Sequence, residues 1–120
     1  MTAPEPTATR VLVVEDNPFI AMEVQDTLCD AGFAVTLAST LEDGLEAIEN
    51  ADYDCALVDY KLAEETCEPI AAALRSRSVP FALTTGVDSA ELQGEALGAA
   101  RALTKPYTTA DVVEAVRALA

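Results

Sequence analysis

Apolar residues gather into five short runs along this chain, and in the stretches between them apolar positions recur every three or four residues. The runs are Val11-Leu12-Val13-Val14, Ala34-Val35-Thr36-Leu37-Ala38, Cys55-Ala56-Leu57-Val58, Phe81-Ala82-Leu83-Thr84 and Ala102-Leu103-Thr104. The first and third are continuous rather than alternating, as expected of strands covered on both faces, the condition of a parallel sheet. The stretches between predict helices. Asn17-Pro18 has the form of an N-cap followed by proline at the first helical position. Ile20, Val24, Leu28 and Ala31 then fall on one face, and Gly32 supplies a stop. Ser39 and Glu42 have the spacing of a capping box ahead of a stripe made by Leu41, Leu45 and Ile48. Pro69 opens a third helix carrying Ile70, Ala73 and Leu74. Asp111 to Leu119 forms the last, with Val112, Val113, Val116 and Leu119 facing in. Asp88 to Ala100 is the weakest helical segment, because Gly94 and Gly98 each cost about 1 kcal/mol relative to alanine, and it is expected to be the most mobile. Five alternations of strand and helix predict an open α/β sheet covered on both sides. The expected organisation is one domain over 10–120 after a disordered lead-in over 1–9.

Composition narrows the function classes. At 120 residues and 51% hydrophobic, the chain can bury a core without disulfide or metal staples. A net charge of −14 repels phosphate backbones and anionic lipid, which argues against direct nucleic-acid or membrane binding and for a basic partner or a cation. There is no histidine, so histidine-dependent triads, histidine-ligated zinc and phosphohistidine chemistry on this chain are excluded. The three cysteines form no CxxC pair, a usage that suits a reducing, cytoplasmic setting, and Cys55 reads as a small buried hydrophobe. Met1 to Thr9 lacks the apolar centre of a signal peptide, and no run approaches transmembrane length.

In a sheet of this kind ligands sit beyond the carboxyl ends of the strands. Glu15 and Asp16 follow the first run, Asp59 the third, Thr84 and Thr85 end the fourth, and Lys105-Pro106 follows the fifth. Three carboxylates, a hydroxyl and an ammonium are thus expected on one edge. Each close carboxylate pair costs on the order of a few kcal/mol at the effective dielectric of a protein surface, so positive charge must offset them. Lys105 supplies one charge. A hard divalent cation with oxygen ligands and retained waters supplies two, which favours Mg²⁺ over a fully caged Ca²⁺. Such a metal suits phosphoryl transfer, with Asp59 as a nucleophile forming an aspartyl phosphate.

The motifs Val13-Val14-Glu15-Asp16-Asn17, Leu57-Val58-Asp59, Leu83-Thr84-Thr85-Gly86 and Thr104-Lys105-Pro106-Tyr107 resemble those of the receiver domains of two-component response regulators, over Arg10 to Ala120. The resemblance implies a flavodoxin-like (βα)5 fold with strand order 2-1-3-4-5. It implies Asp59 as phosphoacceptor, Asp16 as a direct metal ligand, Glu15 as one acting largely through water, and the Lys61 backbone carbonyl as a further ligand. Thr85 would be the switch hydroxyl and Lys105 the phosphoryl-binding lysine, with Mg²⁺ as cofactor and Mn²⁺ as a possible substitute. The donor would be a phosphohistidine on a sensor histidine kinase or a phosphotransfer protein, and the chain would catalyse only its own phosphorylation and dephosphorylation.

Asp59-Tyr60-Lys61-Leu62, Glu65, Pro69-Ile70-Ala71 and Pro80 to Gly86 further resemble stand-alone alphaproteobacterial receivers with a Pro-Phe-x-Phe-x-Thr-Gly-Tyr signature, although Leu83 and Val87 replace its second aromatic and its tyrosine. Ala102 stands where most receivers have a switching aromatic, so Tyr107 or the glycine-weakened helix is expected to report phosphorylation instead. Lys61 lies where family members tune dephosphorylation, and could pair with the phosphoryl group or with Glu64 or Glu65. With the sequence ending at its fifth helix, output is expected as a protein contact through the fourth helix, fifth strand and fifth helix, or as a phosphate sink or shuttle, in a monomer or weak dimer. The main alternative is a receiver-like interaction module that is never phosphorylated. A phosphohydrolase is disfavoured because Lys61 occupies the place of its usual second aspartate.

Overall fold

The backbone follows the hydrophobic pattern closely. A computed structural model describes residues 8–86 and 97–120. Five parallel strands form the sheet: β1 (Arg10–Val14), β2 (Ala34–Ala38), β3 (Cys55–Asp59), β4 (Phe81–Thr85) and β5 (Arg101–Thr104). Their spatial order is β2-β1-β3-β4-β5, the expected flavodoxin-like topology. A two-residue antiparallel ladder, Lys61–Leu62 with Glu65–Thr66, follows β3. The described helices are α1 (Pro18–Asp30), α2 (Leu41–Asn50), α3 (Glu68–Ser76) and the C-terminal helix (Thr109–Leu119). The helix expected over Asp88–Ala100 falls largely outside the described residues, as does the lead-in except for Ala8 and Thr9. The Thr9 carbonyl accepts from the Ala34 N–H at 2.9 Å.

Side-chain alternation along the strands feeds two cores. Leu12, Val14, Ala56, Val58, Phe81 and Leu83 pack toward α2 and α3. Val11, Val13, Cys55, Leu57 and Ala82 pack toward α1 and the C-terminal helix. Both faces of β1 and β3 are therefore buried, which explains why their sequences are continuous rather than alternating.

Helix boundaries depend on caps. Asn17 caps α1 as expected, its Oδ1 accepting from Phe19 and Ile20 N–H at 3.0 and 3.3 Å. The expected Ser39–Glu42 box is displaced by one residue: Thr40 Oγ1 accepts from the Asp43 N–H at 3.0 Å, because extended geometry at Thr40 places its hydroxyl, not that of Ser39, over the first turn. Gly44 faces the core, where a Cβ would stand 2.7 Å from Ile70 Cδ1. The last helix starts two residues before the expected Asp111, at Thr109. Thr108 and Asp111 cap each other's backbone N–H groups at 3.1 and 2.9 Å. Within that helix Val112, Ala115 and Val116 are buried, whereas Val113 and Leu119 are half-buried. Thr108→Ala is expected to lower stability by about 1 kcal/mol, read as a shift of the urea midpoint at unchanged slope.

Candidate functional site

Strand register assembles the site. Val14 pairs with Val58, so the next residues, Glu15 and Asp59, leave adjacent strands side by side. Asp59 pairs with Thr84 and Thr85 with Thr104, which brings Lys105 to the same edge. Neighbouring strands are about 4.8 Å apart, close enough for side chains from β1 and β3 to share one ion. Carboxylate oxygens of Glu15, Asp16 and Asp59 lie within 4.8 Å of one another. Lys105 Nζ reaches Glu15 Oε1 at 3.2 Å and Asp59 Oδ2 at 3.1 Å.

Burial and polar contacts set the electrostatics. The side chains of Glu15 and Asp59 are 4% and 7% exposed, while Lys105 keeps 26%. Burial pushes the Glu15 carboxyl up to about 7; the Asn17 N–H, 3.1 Å from Oε2, works against this, as does Lys105, while the Asp59 charge adds to it. Asp59 is also held above the ordinary carboxylate range, chiefly by burial and in spite of Lys105. Exposed Asp16 sits below that range: its slight burial disfavours the charged form, but the Ala63 N–H, 3.0 Å from Oδ2, together with hydrogen bonds from Glu15 and its own backbone and the charge of Lys105, outweighs it. Lys105 holds its proton more tightly than usual, because the Asp59 and Glu15 charges overcome the effect of burial. One ammonium facing two buried carboxylates and a third exposed one leaves the cluster short of positive charge. A divalent cation with oxygen ligands fits that deficit, and Glu15, Asp16 and Asp59 are the residues that could hold it.

The remaining expected residues divide. Thr85 is buried at the end of β4, and its carbonyl accepts from the Lys105 N–H at 2.7 Å, so the strand bearing the hydroxyl also holds the lysine's backbone. The Lys61 side chain is exposed and, among the described residues, forms no ion pair with Glu64 or Glu65; those two and Glu68 form a solvated face. Tyr107 is half-buried against the α1 side of the core, and burial pushes its hydroxyl up to about 12. Ala102 pairs with Leu83 at the sheet edge. Cys55 and Cys67 are buried and burial pushes their thiols up to about 11 and 12, as inert core residues.

Two contributors escaped the sequence. Asn17 is legible as a helix cap, but not as the donor that also pins Glu15. Ala63 adopts φ +56°, a conformation that alanine seldom takes, and in doing so turns its N–H toward Asp16. No sequence signal marks it, since glycine or asparagine is the usual sign of such a turn.

A family model for the response regulator receiver domain matches residues 11–117. The transcriptional regulatory protein DltR of Streptococcus agalactiae is 32% identical over 112 residues, covering 90% of this chain and 50% of that protein. The transcriptional regulatory protein CusR of Escherichia coli is 32% identical over 114 residues, covering 92% and 50%. The chain thus spans about half the length of these curated relatives. Among solved structures, the chemotaxis response regulator CheY4 of Vibrio cholerae superposes with a TM-score of 0.85 at 28% identity, covering 95% of this chain and all of that one.

Proposed function

Because the chain belongs to the response regulator receiver domain family, we propose that Asp59 accepts a phosphoryl group from a phosphohistidine on a sensor kinase or phosphotransfer protein. The observation that carries the reading is Lys105 bridging Glu15 and Asp59 beside exposed Asp16. An Asp59 carboxylate oxygen attacks phosphorus as the phosphorus–nitrogen bond of the donor breaks, and the imidazole leaves with a proton in place of the phosphoryl group. Lys105, already within hydrogen-bond reach of Asp59, holds a phosphoryl oxygen, and the Thr85 hydroxyl donates to another. Mg²⁺, with Mn²⁺ as a substitute, would be held by Glu15, Asp16, Asp59 and the Lys61 carbonyl, and would supply the positive charge that offsets the phosphoryl oxygens. Phosphorylation adds charge and strong acceptors beside Thr85, and the consequence is a changed contact with a partner protein in the cytoplasm or onward transfer in a relay.

The test uses the intact protein with Mg²⁺ and phosphoramidate. The mass of the chain is expected to rise by one phosphoryl group, and an Asp59→Asn variant to show none of the gain. A parent protein that gains nothing, or a variant that gains as much, would replace this reading with that of an interaction module that is never phosphorylated.

A further inference from the structure

Among the described residues two that are not glycine take positive φ, Ala63 at +56° and Ser78 at +59°. Ser78 has a local cause. It follows α3, where the Ser78 and Val79 N–H groups donate to the Arg75 and Leu74 carbonyls at 3.0 and 2.9 Å. That closure ends many helices on a left-handed residue. Ala63 ends no helix. It opens the two-residue turn, Ala63-Glu64, of the ladder that pairs Lys61 with Thr66 and Leu62 with Glu65, a place where glycine is usual. Its side chain is exposed, so packing does not reward the conformation. What the turn gains is the 3.0 Å bond from the Ala63 N–H to Asp16 Oδ2, and backbone outliers of this kind cluster at functional sites.

The turn is anchored firmly enough to aim that N–H. Tyr60 donates its N–H to the Thr84 carbonyl and accepts from the Cys67 N–H, both at 2.8 Å, which closes the base of the ladder. Leu62 and Cys67 are buried in the core beneath α2 and α3. Asp16 needs such a partner more than its neighbours do. Burial fixes the carboxylates of Glu15 and Asp59, whereas Asp16 is exposed and would rotate freely if nothing held it. All three have oxygens engaged by the chain itself. Lys105 Nζ takes Glu15 Oε1 and Asp59 Oδ2, the Asn17 N–H takes Glu15 Oε2, and the Ala63 N–H takes Asp16 Oδ2. So held, Asp16 can offer an ion only its other oxygen.

That restriction discriminates between hard cations. Mg²⁺ keeps several waters and takes one or two carboxylates, whereas Ca²⁺ gathers roughly six to eight oxygens and often draws two from one carboxylate. On the reading that Glu15, Asp16 and Asp59 hold a divalent ion, we propose that Ala63 is a positioning residue that sets the specificity of the site. Its backbone N–H confines Asp16 to one-oxygen ligation, which suits Mg²⁺ and handicaps Ca²⁺. Glycine would supply the same N–H from a turn that takes positive φ freely. A β-branched residue would be driven out of positive φ and would carry the N–H away. The Lys61 carbonyl, proposed as a further ligand, belongs to the same ladder. A collapsed hairpin would therefore weaken every ion alike, and the ratio of two affinities isolates the N–H.

Calorimetric titration of the full metal-free chain with MgCl2 and with CaCl2, no phosphodonor being present, gives that ratio. Ala63→Val is expected to weaken Mg²⁺ about tenfold, as loss of a metal ligand's hydrogen-bond partner commonly does, and Ca²⁺ by less than about twofold. The preference for Mg²⁺ then falls at least about fivefold. Ala63→Gly should hold the ratio within about twofold of the parent's. The amide proton of residue 63 gives a signature that needs no ion. By NMR it should resist hydrogen exchange in the parent and in Ala63→Gly, and exchange readily in Asp16→Ala. Equal losses of both ions in Ala63→Val would reduce the hairpin to a structural support and overturn the proposal. A glycine variant as impaired as the valine one, or an unprotected amide in the parent, would do the same. A parent that binds neither ion would sink the ion reading and this one together. A parent that gains a phosphoryl group on Asp59 while the ratio stays unmoved in Ala63→Val would sink this one alone.

Discussion

Lys105→Met is expected to lower the stability of the metal-free protein by about 2–3 kcal/mol at pH 8, and by no more than about 1 kcal/mol at pH 5. The substitution keeps an unbranched apolar stem as far as Cε and removes the ammonium. At pH 8 that leaves Glu15 and Asp59, 4% and 7% exposed, facing each other without a cation. Stripping one partner from a buried ion pair commonly costs about 3–5 kcal/mol; the partial exposure of Lys105 and the open side toward Asp16 reduce that here. At pH 5 Glu15, pushed up to about 7 by burial, already holds a proton in the parent protein, so there is less negative charge to strand. Urea denaturation of both proteins at the two pH values checks this. A loss of equal size at both would mean that the lysine acts through packing rather than charge. On the proposed chemistry the same variant should also take up phosphoryl groups from phosphoramidate more slowly, by on the order of a hundredfold, as when one preorganised donor to a developing charge is removed.

The second large effect is the pH dependence of the metal-free fold. Glu15 has an ordinary value of 4.5 and is raised to about 7 in the folded chain, chiefly by burial. The folded state therefore binds this proton more tightly than the unfolded state. The stability it contributes is present in full below about pH 4.5 and is lost as the pH rises through 7, to an extent of about 3 kcal/mol at most. Asp16, held below its ordinary range, acts in the opposite sense, but only at lower pH. With a chelator present, the thermal midpoint should fall between pH 5 and 8, and Glu15→Gln should flatten the slope. Magnesium should restore the lost stability at pH 8 and do far less at pH 5.5, because the ion and the proton compete for the same carboxylate. Below 7, affinity should change about tenfold per pH unit. A midpoint that rises over this range in the parent protein would show that Glu15 is not a raised carboxylate.

The sequence was most informative where one physical requirement acts locally. Continuous apolar runs at Val11–Val14 and Cys55–Val58 could only be strands buried on both sides, and Asn17-Pro18 could hardly be anything but the start of a helix. Those signals, with acidic residues and a lysine placed after the runs, were enough to expect Glu15, Asp16, Asp59 and Lys105 together at one sheet edge, where the structure gathers them. It was least informative where a neighbouring segment decides. The α2 cap shifted from Ser39 to Thr40, the burial of Gly44 against Ile70 is set by α3, and Ala63 takes a left-handed conformation because Asp16, 47 positions away, accepts its N–H.

By itself, then, the order of residues determined the alternating strand–helix fold, the acidic character and the placement of Glu15, Asp16, Asp59, Thr85 and Lys105 at strand ends, since each follows from burial or from the end of an apolar run. Only the tertiary structure decided how those groups act on one another. Strand register sets the 3.1 Å approach of Lys105 to Asp59, and burial raises Glu15. Distances and desolvation belong to surfaces formed by segments far apart in the chain, and no local pattern encodes them.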